Sequence, residues 1–147
     1  MTIGKITQIL EEWAPLDYAE DFDNVGLLVG DKNDEAKGML ITHDCLAEVV
    51  DEAIEKKCNL IVCFHPIIFK GLQKLSGSSH VEQAIKKAIK NDIAIYAIHK
   101  ALDNQVHGVS FGLSQALGLV YTSTLLPKQN TIKKLNFYVP KQQAQQV

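Results

Sequence analysis

Apolar side chains near the N-terminus recur at helical spacing, and a short apolar run follows them. The positions with helical spacing are Ile3, Ile6, Leu10 and Trp13. Thr2 is a suitable N-cap for this segment and Pro15 ends it. An acidic loop at 17–24 leads to an apolar strand at 25–29. The pattern therefore predicts an amphipathic helix of about three turns and then a first strand.

A strand followed by a helix is then predicted three times along the chain. The strands are predicted at 38–42, 60–63 and 93–97, and the helical faces begin at Leu46, Val81 and Val109. Ser79 and Glu82 have the spacing of a capping box before the second helix, and Gly118 ends the third. These strands are apolar throughout rather than alternating, which favours a parallel sheet buried on both faces, with loops at 65–78 and 98–107.

The pattern changes after Gly118. We predict a strand at 119–126, a turn at 127–130 and a further strand with partial alternation at 132–139. Pro140 suits the first turn of a helix, so 141–147 has two interpretations that periodicity leaves open. It begins a helix of a longer protein, or it is a short frayed tail.

Composition narrows the function classes. The chain has 147 residues, 46% of them hydrophobic, a net charge of −2, and 15 basic residues that are all lysine. Without arginine or a basic surplus, nucleic-acid binding is disfavoured. No apolar run approaches the length of a membrane span and no signal peptide is recognisable, so we expect a cytoplasmic protein. Cys45, Cys58 and Cys63 match no disulfide or zinc spacing and are interpreted as buried or loop thiols.

Three polar residues occupy loops that join a strand to the next helix: Asp44, His65 and Asp103. In an open parallel sheet these loops meet at the carboxyl edge, where ligands bind. One imidazole and two carboxylates there would suit Zn, Mn or Fe.

Each of these residues also has a structural interpretation that the sequence leaves open. Asp44 is placed to be the N-cap of the helix near Leu46. His65 precedes Pro66 and is equally consistent with a solvated loop histidine, and Asp103 with ordinary turn chemistry. His99 is a ligand, a group that orients one, a proton carrier or a satisfied loop residue. Hydrolase elbow, P-loop, dinucleotide and zincin motifs are absent.

Three sequence blocks, at 23–30 (DNVGLLVG), 59–72 (NLIVCFHPIIFKGL) and 91–104 (NDIAIYAIHKALDN), resemble those of a known family. They are similar, in order and spacing, to the NIF-three-like family of GTP cyclohydrolase 1 type 2 homologues. The resemblance implies a three-layer α/β sandwich with a largely parallel sheet. It also implies a ring-shaped homo-oligomer, a trimer or hexamer, with one or two divalent transition-metal ions (Zn, Fe or Mn) per subunit.

The resemblance assigns metal binding to His65 and Asp103. We expect His99, Asp44 and Asn24 to be further groups of the pocket. Phe64 stands where the commoner family pattern has the first of two histidines before the proline, which removes one donor. The family's histidine and glutamate of the C-terminal half have no counterpart in this chain.

The resemblance further implies a division of the chain. Residues 1–126 would be the N-terminal part of the α/β domain, and 127–147 a linker and the start of an inserted ferredoxin-like module, or a tail. The implied function is a metal-dependent hydrolase acting on a nucleotide or related small molecule, with the 147-residue chain alone inactive. The alternative is a non-catalytic, metal-binding, ring-forming regulatory or interaction protein.

Overall fold

The computed structural model describes residues 1–127, 134 and 138–143. The helices are α1 (Ile3–Trp13), α2 (Ala47–Glu55), α3 (His80–Lys90), α4 (His99–Asp103) and α5 (Val109–Ala116), with 3₁₀ turns at Leu16–Tyr18 and Lys141–Gln143. The strands are β1 (Gly26–Val29), β2 (Met39–Thr42), β3 (Leu60–Cys63) and β4 (Ala94–Ala97). In the described part of the chain, no helix is long and apolar enough to span a bilayer.

The four strands form one sheet in the order β1-β4-β3-β2. β2, β3 and β4 are parallel, as a strand-helix-strand repeat requires, and β1 pairs with β4 in the antiparallel direction. The largely parallel sheet predicted from the apolar runs is confirmed. The position of β4 inside the sheet, beside the much earlier β1, is not encoded in any local pattern.

Helices cover both faces of the sheet, so the architecture has three layers. Side chains alternate along β3: Ile61 and Cys63 pack with Val50 of α2 and Ala84 of α3. Leu60 and Val62 point to the other face, where the core partners include residues of α1 and α4 such as Ile3 and Ala101. All four residues of β3 and of β4 are buried, whereas alternate residues of the edge strand β2 are exposed.

The predicted helix starts are confirmed at two caps. The Thr2 side chain accepts a hydrogen bond from the Lys5 N–H, and the Ser79 side chain accepts one from the Glu82 N–H. α2 begins differently, because Leu46 occupies its N-cap position and no side chain caps it. The capping role considered for Asp44 is therefore wrong.

Two other predictions of local structure need correction. The loop predicted at 98–107 contains α4, in which Leu102 N–H donates to Ile98 O and Asn104 N–H to Lys100 O. The strand predicted at 119–126 is absent. A strand is stabilised by a neighbouring strand, and this segment joins neither edge of the sheet. The turn at 127–130 and the strand at 132–139 fall mostly outside the described residues.

Candidate metal site at the carboxyl edge of the sheet

The parallel register aligns three polar side chains at the carboxyl edge. Thr42 pairs with Cys63, and Cys63 pairs with Ala97, at the ends of β2, β3 and β4. Asp44, His65 and His99 each lie two residues beyond these ends. The alignment continues past the strands, since His65 N–H donates to His43 O and His99 N–H to Phe64 O. Asp44, His65 and His99 therefore lie beside one another, because each follows a paired strand end by the same number of residues.

His43, Asp44 and His65 form a compact group of potential ligands. Their donor atoms all lie within 4.8 Å of one another, and all three residues are exposed. The Asp44 Oδ1 atom is 2.8 Å from His65 Nδ1, and Asp44 Oδ2 is 3.5 Å from His43 Nδ1. Imidazole nitrogen and carboxylate oxygen are the kinds of donor that divalent transition ions bind.

Asp44 is held as a carboxylate. Its hydrogen bond with His65 lowers the pKa of Asp44 below its ordinary value, outweighing the opposing effect of burial. A negative oxygen at His65 Nδ1 leaves Nε2 of that ring as the nitrogen available to a ligand. A carboxylate on the far nitrogen is a common feature of metal-binding histidines, because it orients the ring.

His99 makes a similar contact with Asp23, which lies in the acidic loop before β1. Both carboxylate oxygens of Asp23 lie 2.9 Å from His99 Nδ1. The Asp23 side chain is 0% exposed and that of His99 is 14% exposed. The two residues are 76 positions apart in the chain and meet because β1, which follows Asp23, is the neighbour of β4.

Asp103 lies one helical turn beyond His99, at the end of α4. Its Oδ2 atom is 2.9 Å from Lys100 Nζ, and this contact raises the pKa of Lys100. Asp103 is not part of the compact group around His65. It lines a cavity of about 630 Å³ together with Glu20, Asn104, Phe111 and residues of the segment 122–127.

Asn24 and Phe64 contact other residues around the site. Asn24 Nδ2 donates to the Ile68 carbonyl, which ties the loop after His65 to the start of β1. Phe64 places its ring 5.2 Å from that of His43, 5.1 Å from His65 and 5.4 Å from His99, measured between ring centroids. The residue that cannot ligate is therefore the apolar wall against which the three imidazoles pack.

Two of the three thiols lie close to the site in sequence but are buried. Cys45 and Cys63 are buried, and burial raises the pKa of Cys45 to about 11 and that of Cys63 to about 12. Both are protonated at neutral pH, whereas metal binding requires the thiolate. This agrees with their interpretation as buried thiols.

The sequence patterns did not predict that His43 and Asp23 belong to the site. His43 directly follows β2, and its register partner Phe64 follows β3, so the alignment of strand ends was a usable signal for it. Asp23 has no such signal. Its contact with His99 depends on the antiparallel pairing of β1 with β4, which joins distant parts of the chain.

A largely parallel α/β sheet with imidazoles and carboxylates gathered at its carboxyl edge defines an α/β protein with a candidate cation site. The sequence profile of the family described as Duf34/NIF3 (NGG1p interacting factor 3) matches residues 1–145, and the chain belongs to this family. The resemblance seen in the three sequence blocks is confirmed.

Curated relatives and solved structures agree with this assignment. The chain is 41% identical over 141 residues to a GTP cyclohydrolase 1 type 2 homolog of Staphylococcus aureus (strain MRSA252), covering 96% of this chain and 38% of the relative. It is 41% identical over 144 residues to the protein of the same name from Bacillus subtilis (strain 168), covering 97% and 39%. The crystal structure of a Bacillus cereus protein related to NIF3 superimposes with a TM-score of 0.81 at 38% identity, covering 87% of this chain and 36% of that one. The chain thus spans about two fifths of the length of these relatives.

Proposed function

We propose that this chain carries part of the metal site of a metal-dependent hydrolase that acts on a nucleotide or a related small molecule. The observation that supports the proposal best is the group of His43, Asp44 and His65, whose donor atoms lie within 4.8 Å of one another. The group lies where open parallel sheets bind their ligands. A cavity of about 630 Å³ beside Asp103 has a volume typical of small-molecule sites.

His65 and Asp103 are the proposed ligands. His65 offers Nε2 while Asp44 holds its other nitrogen, and Asp103 offers a carboxylate that Lys100 contacts in this structure. A bound Zn, Fe or Mn ion would supply a Lewis acid and a more acidic water. Asn24 secures the loop that follows His65, so that His65 keeps its place at the sheet edge. We further propose one or two ions per subunit.

GTP is the first substrate to test, because the curated relatives are named GTP cyclohydrolase 1 type 2 homologs. Opening of the guanine ring is the reaction that this name suggests. Since the chain has no arginine, phosphate groups would be held by lysines such as Lys70 and Lys100, by backbone amides or by the ion.

Metal binding is the direct test. The purified chain is titrated with Zn²⁺ by calorimetry, and Co²⁺ absorption reports the type of ligand. We expect His65→Ala and Asp103→Ala each to weaken binding by about tenfold or more, since each removes a ligand. His80→Ala is the matched control, because His80 is an exposed histidine at the start of α3. Unchanged affinity in both site variants would refute the proposed site.

A second candidate function is a non-catalytic regulatory or interaction protein that assembles into a ring, a trimer or hexamer. The observation that favours it is the exposure of large apolar side chains on the edge strand β2, with Ile41 72% exposed. Metal binding that depends on His65 and Asp103, without turnover of GTP or of a phosphoester, would support this second function over the first.

A further inference from the structure

Two histidine rings at the sheet edge are each held at Nδ1 by a carboxylate. Asp44 Oδ1 is 2.8 Å from His65 Nδ1, and both oxygens of Asp23 are 2.9 Å from His99 Nδ1. In both rings Nε2 is left without a hydrogen-bond partner among the described residues. The two rings lie two residues past neighbouring strand ends, at the same edge of the sheet, and their centroids are 5.4 Å apart.

The environment of Asp23 determines which nitrogen of His99 carries the hydrogen. The Asp23 carboxylate accepts from the Asn24 N–H at 2.8 Å and from the Lys100 N–H at 3.2 Å. Backbone N–H groups only donate, so the buried side chain acts as an acceptor throughout, and His99 must donate to it from Nδ1. The neutral ring therefore keeps its lone pair on Nε2.

The backbone of His99 is constrained as well. Its φ is +24°, a region that residues other than glycine rarely adopt. Its N–H donates to the Phe64 carbonyl at 3.0 Å, while Asp23 holds the ring. The backbone of His99 is thus held in an unusual conformation, and backbone of this kind is often found at functional sites.

The separation of the rings fits a shared ion. With metal–nitrogen bonds of about 2.1 Å and tetrahedral angles, two imidazoles on one ion have centroids roughly 5.3 Å apart. The centroids of His65 and His99 are 5.4 Å apart. The His43 ring also lies near His65, but its side chain is 66% exposed and its carboxylate contact is 3.5 Å. His43 is therefore held less firmly than His99.

We propose that Nε2 of His99 binds the same cation as His65 and that the buried Asp23 is the positioning residue for this ligand. This inference rests on the proposed metal site and adds to it a second imidazole, supplied from β4. Asp23 contributes by holding the ring orientation and the tautomer, and does not itself touch the ion.

The test combines a metal titration with a direct reading of the His99 tautomer. Two-bond ¹H–¹⁵N NMR of the imidazoles at alkaline pH identifies the protonated nitrogen of each ring, without and with Zn²⁺. We expect hydrogen on Nδ1 of His99 in the metal-free protein, and a zinc-induced shift of Nε2 in both His65 and His99. Asp23→Asn, which puts an N–H donor beside the ring, should weaken zinc binding 10- to 100-fold and move the His99 hydrogen to Nε2.

Two variants at position 99 complete the design. His99→Gln keeps a polar group beside Asp23 but has no imidazole, and His99→Ala removes the contact, so a fold defect of one is recognised by comparison with the other. Both should weaken zinc binding about tenfold or more, whereas His80→Ala should leave it unchanged.

The outcomes separate this inference from the proposed function. Zinc binding by both His99 variants that equals the wild type, together with a normal loss in His65→Ala, would overturn the role of His99 alone. A hydrogen on Nε2 of His99 in the wild type would overturn the positioning role of Asp23. No zinc binding by the wild type would overturn the proposed site and the ligand role of His99 together.

Discussion

Gly30 shows how closely the chain is packed at the level of a single residue. It follows β1 with φ +100°, and a Cβ atom added there would lie 2.6 Å from Ala94 Cβ and 2.8 Å from Ala94 Cα. Ala94 begins β4, so the contact joins the two strands whose pairing brings Asp23 to His99. Only glycine satisfies both the backbone conformation and the close approach.

Gly30→Ala is therefore expected to destabilise the protein. The backbone strain alone costs about 1–3 kcal/mol, and the contact with Ala94 adds to it. Urea unfolding measures the difference in free energy of unfolding. Gly112→Ala is the matched control, since Gly112 lies within α5 with no atom within 4 Å of an added Cβ. The control should gain up to about 1 kcal/mol from helix propensity, and an equal loss in both variants would contradict the prediction.

At the level of an element, the cap at the start of α3 has more hydrogen bonds than the capping box predicted from Ser79 and Glu82. Ser79 caps the Glu82 N–H as the capping box predicts. The Glu82 carboxylate reaches further back, accepting from Ser76 Oγ at 2.9 Å and from the Gly77 N–H at 2.8 Å. The hydrogen bond from Ser76, followed by those from the backbone of Ser78 and Gly77, lowers the pKa of Glu82. One side chain thus ties the preceding loop to the helix.

The sign of the pH dependence follows from that lowered pKa. The ionised Glu82 stabilises the folded protein at pH values above the ordinary Glu pKa of about 4.3, and this stabilisation is lost as the pH falls through the lower pKa of the folded state. Glu82→Gln should therefore be less stable than the wild type at neutral pH, and the difference should shrink in acid. Ser79→Ala should lose about 1 kcal/mol at every pH. Urea unfolding across a pH series would contradict the prediction if the Glu82→Gln difference stayed constant.

At the level of the whole molecule, the strand β2 lies at an edge of the sheet. Among the described residues β2 pairs only with β3, and its residues Met39 and Ile41 are 44% and 72% exposed. An apolar edge strand offers unpaired backbone groups to a second copy of the chain. The relatives are longer, since the chain spans 38% and 39% of the two curated proteins.

Ile41→Lys should reduce self-association of the chain. Burial of one isoleucine contributes about 1.5–3 kcal/mol, so the dissociation constant should rise about tenfold or more. Sedimentation velocity over a range of concentrations measures it. Ile9→Lys is the control, because Ile9 is also exposed but lies on α1, away from the sheet edge. A wild type that stays monomeric, or an equal effect of both lysines, would refute an interface at this edge.

Much of the fold follows from local pattern, as particular elements show. β3 was predicted at 60–63 and is observed at Leu60–Cys63, because an unbroken apolar run between polar segments has few alternatives to a buried strand. The segment 119–126 was also predicted as a strand, and it forms none. A strand requires a partner, and the presence of a free sheet edge beside a segment is not written in that segment.

The candidate site likewise has a part that local sequence pattern predicts and a part that depends on the tertiary structure. The sequence by itself determined that polar side chains follow the ends of β2, β3 and β4, since local periodicity shows where each strand stops. That was enough to predict Asp44 and His65 at one edge. Only the tertiary structure decided that β4 lies between β1 and β3, and that order brings Asp23 to His99 across 76 residues. Contacts of this kind arise from the packing of whole elements against one another, which no spacing within a single element encodes.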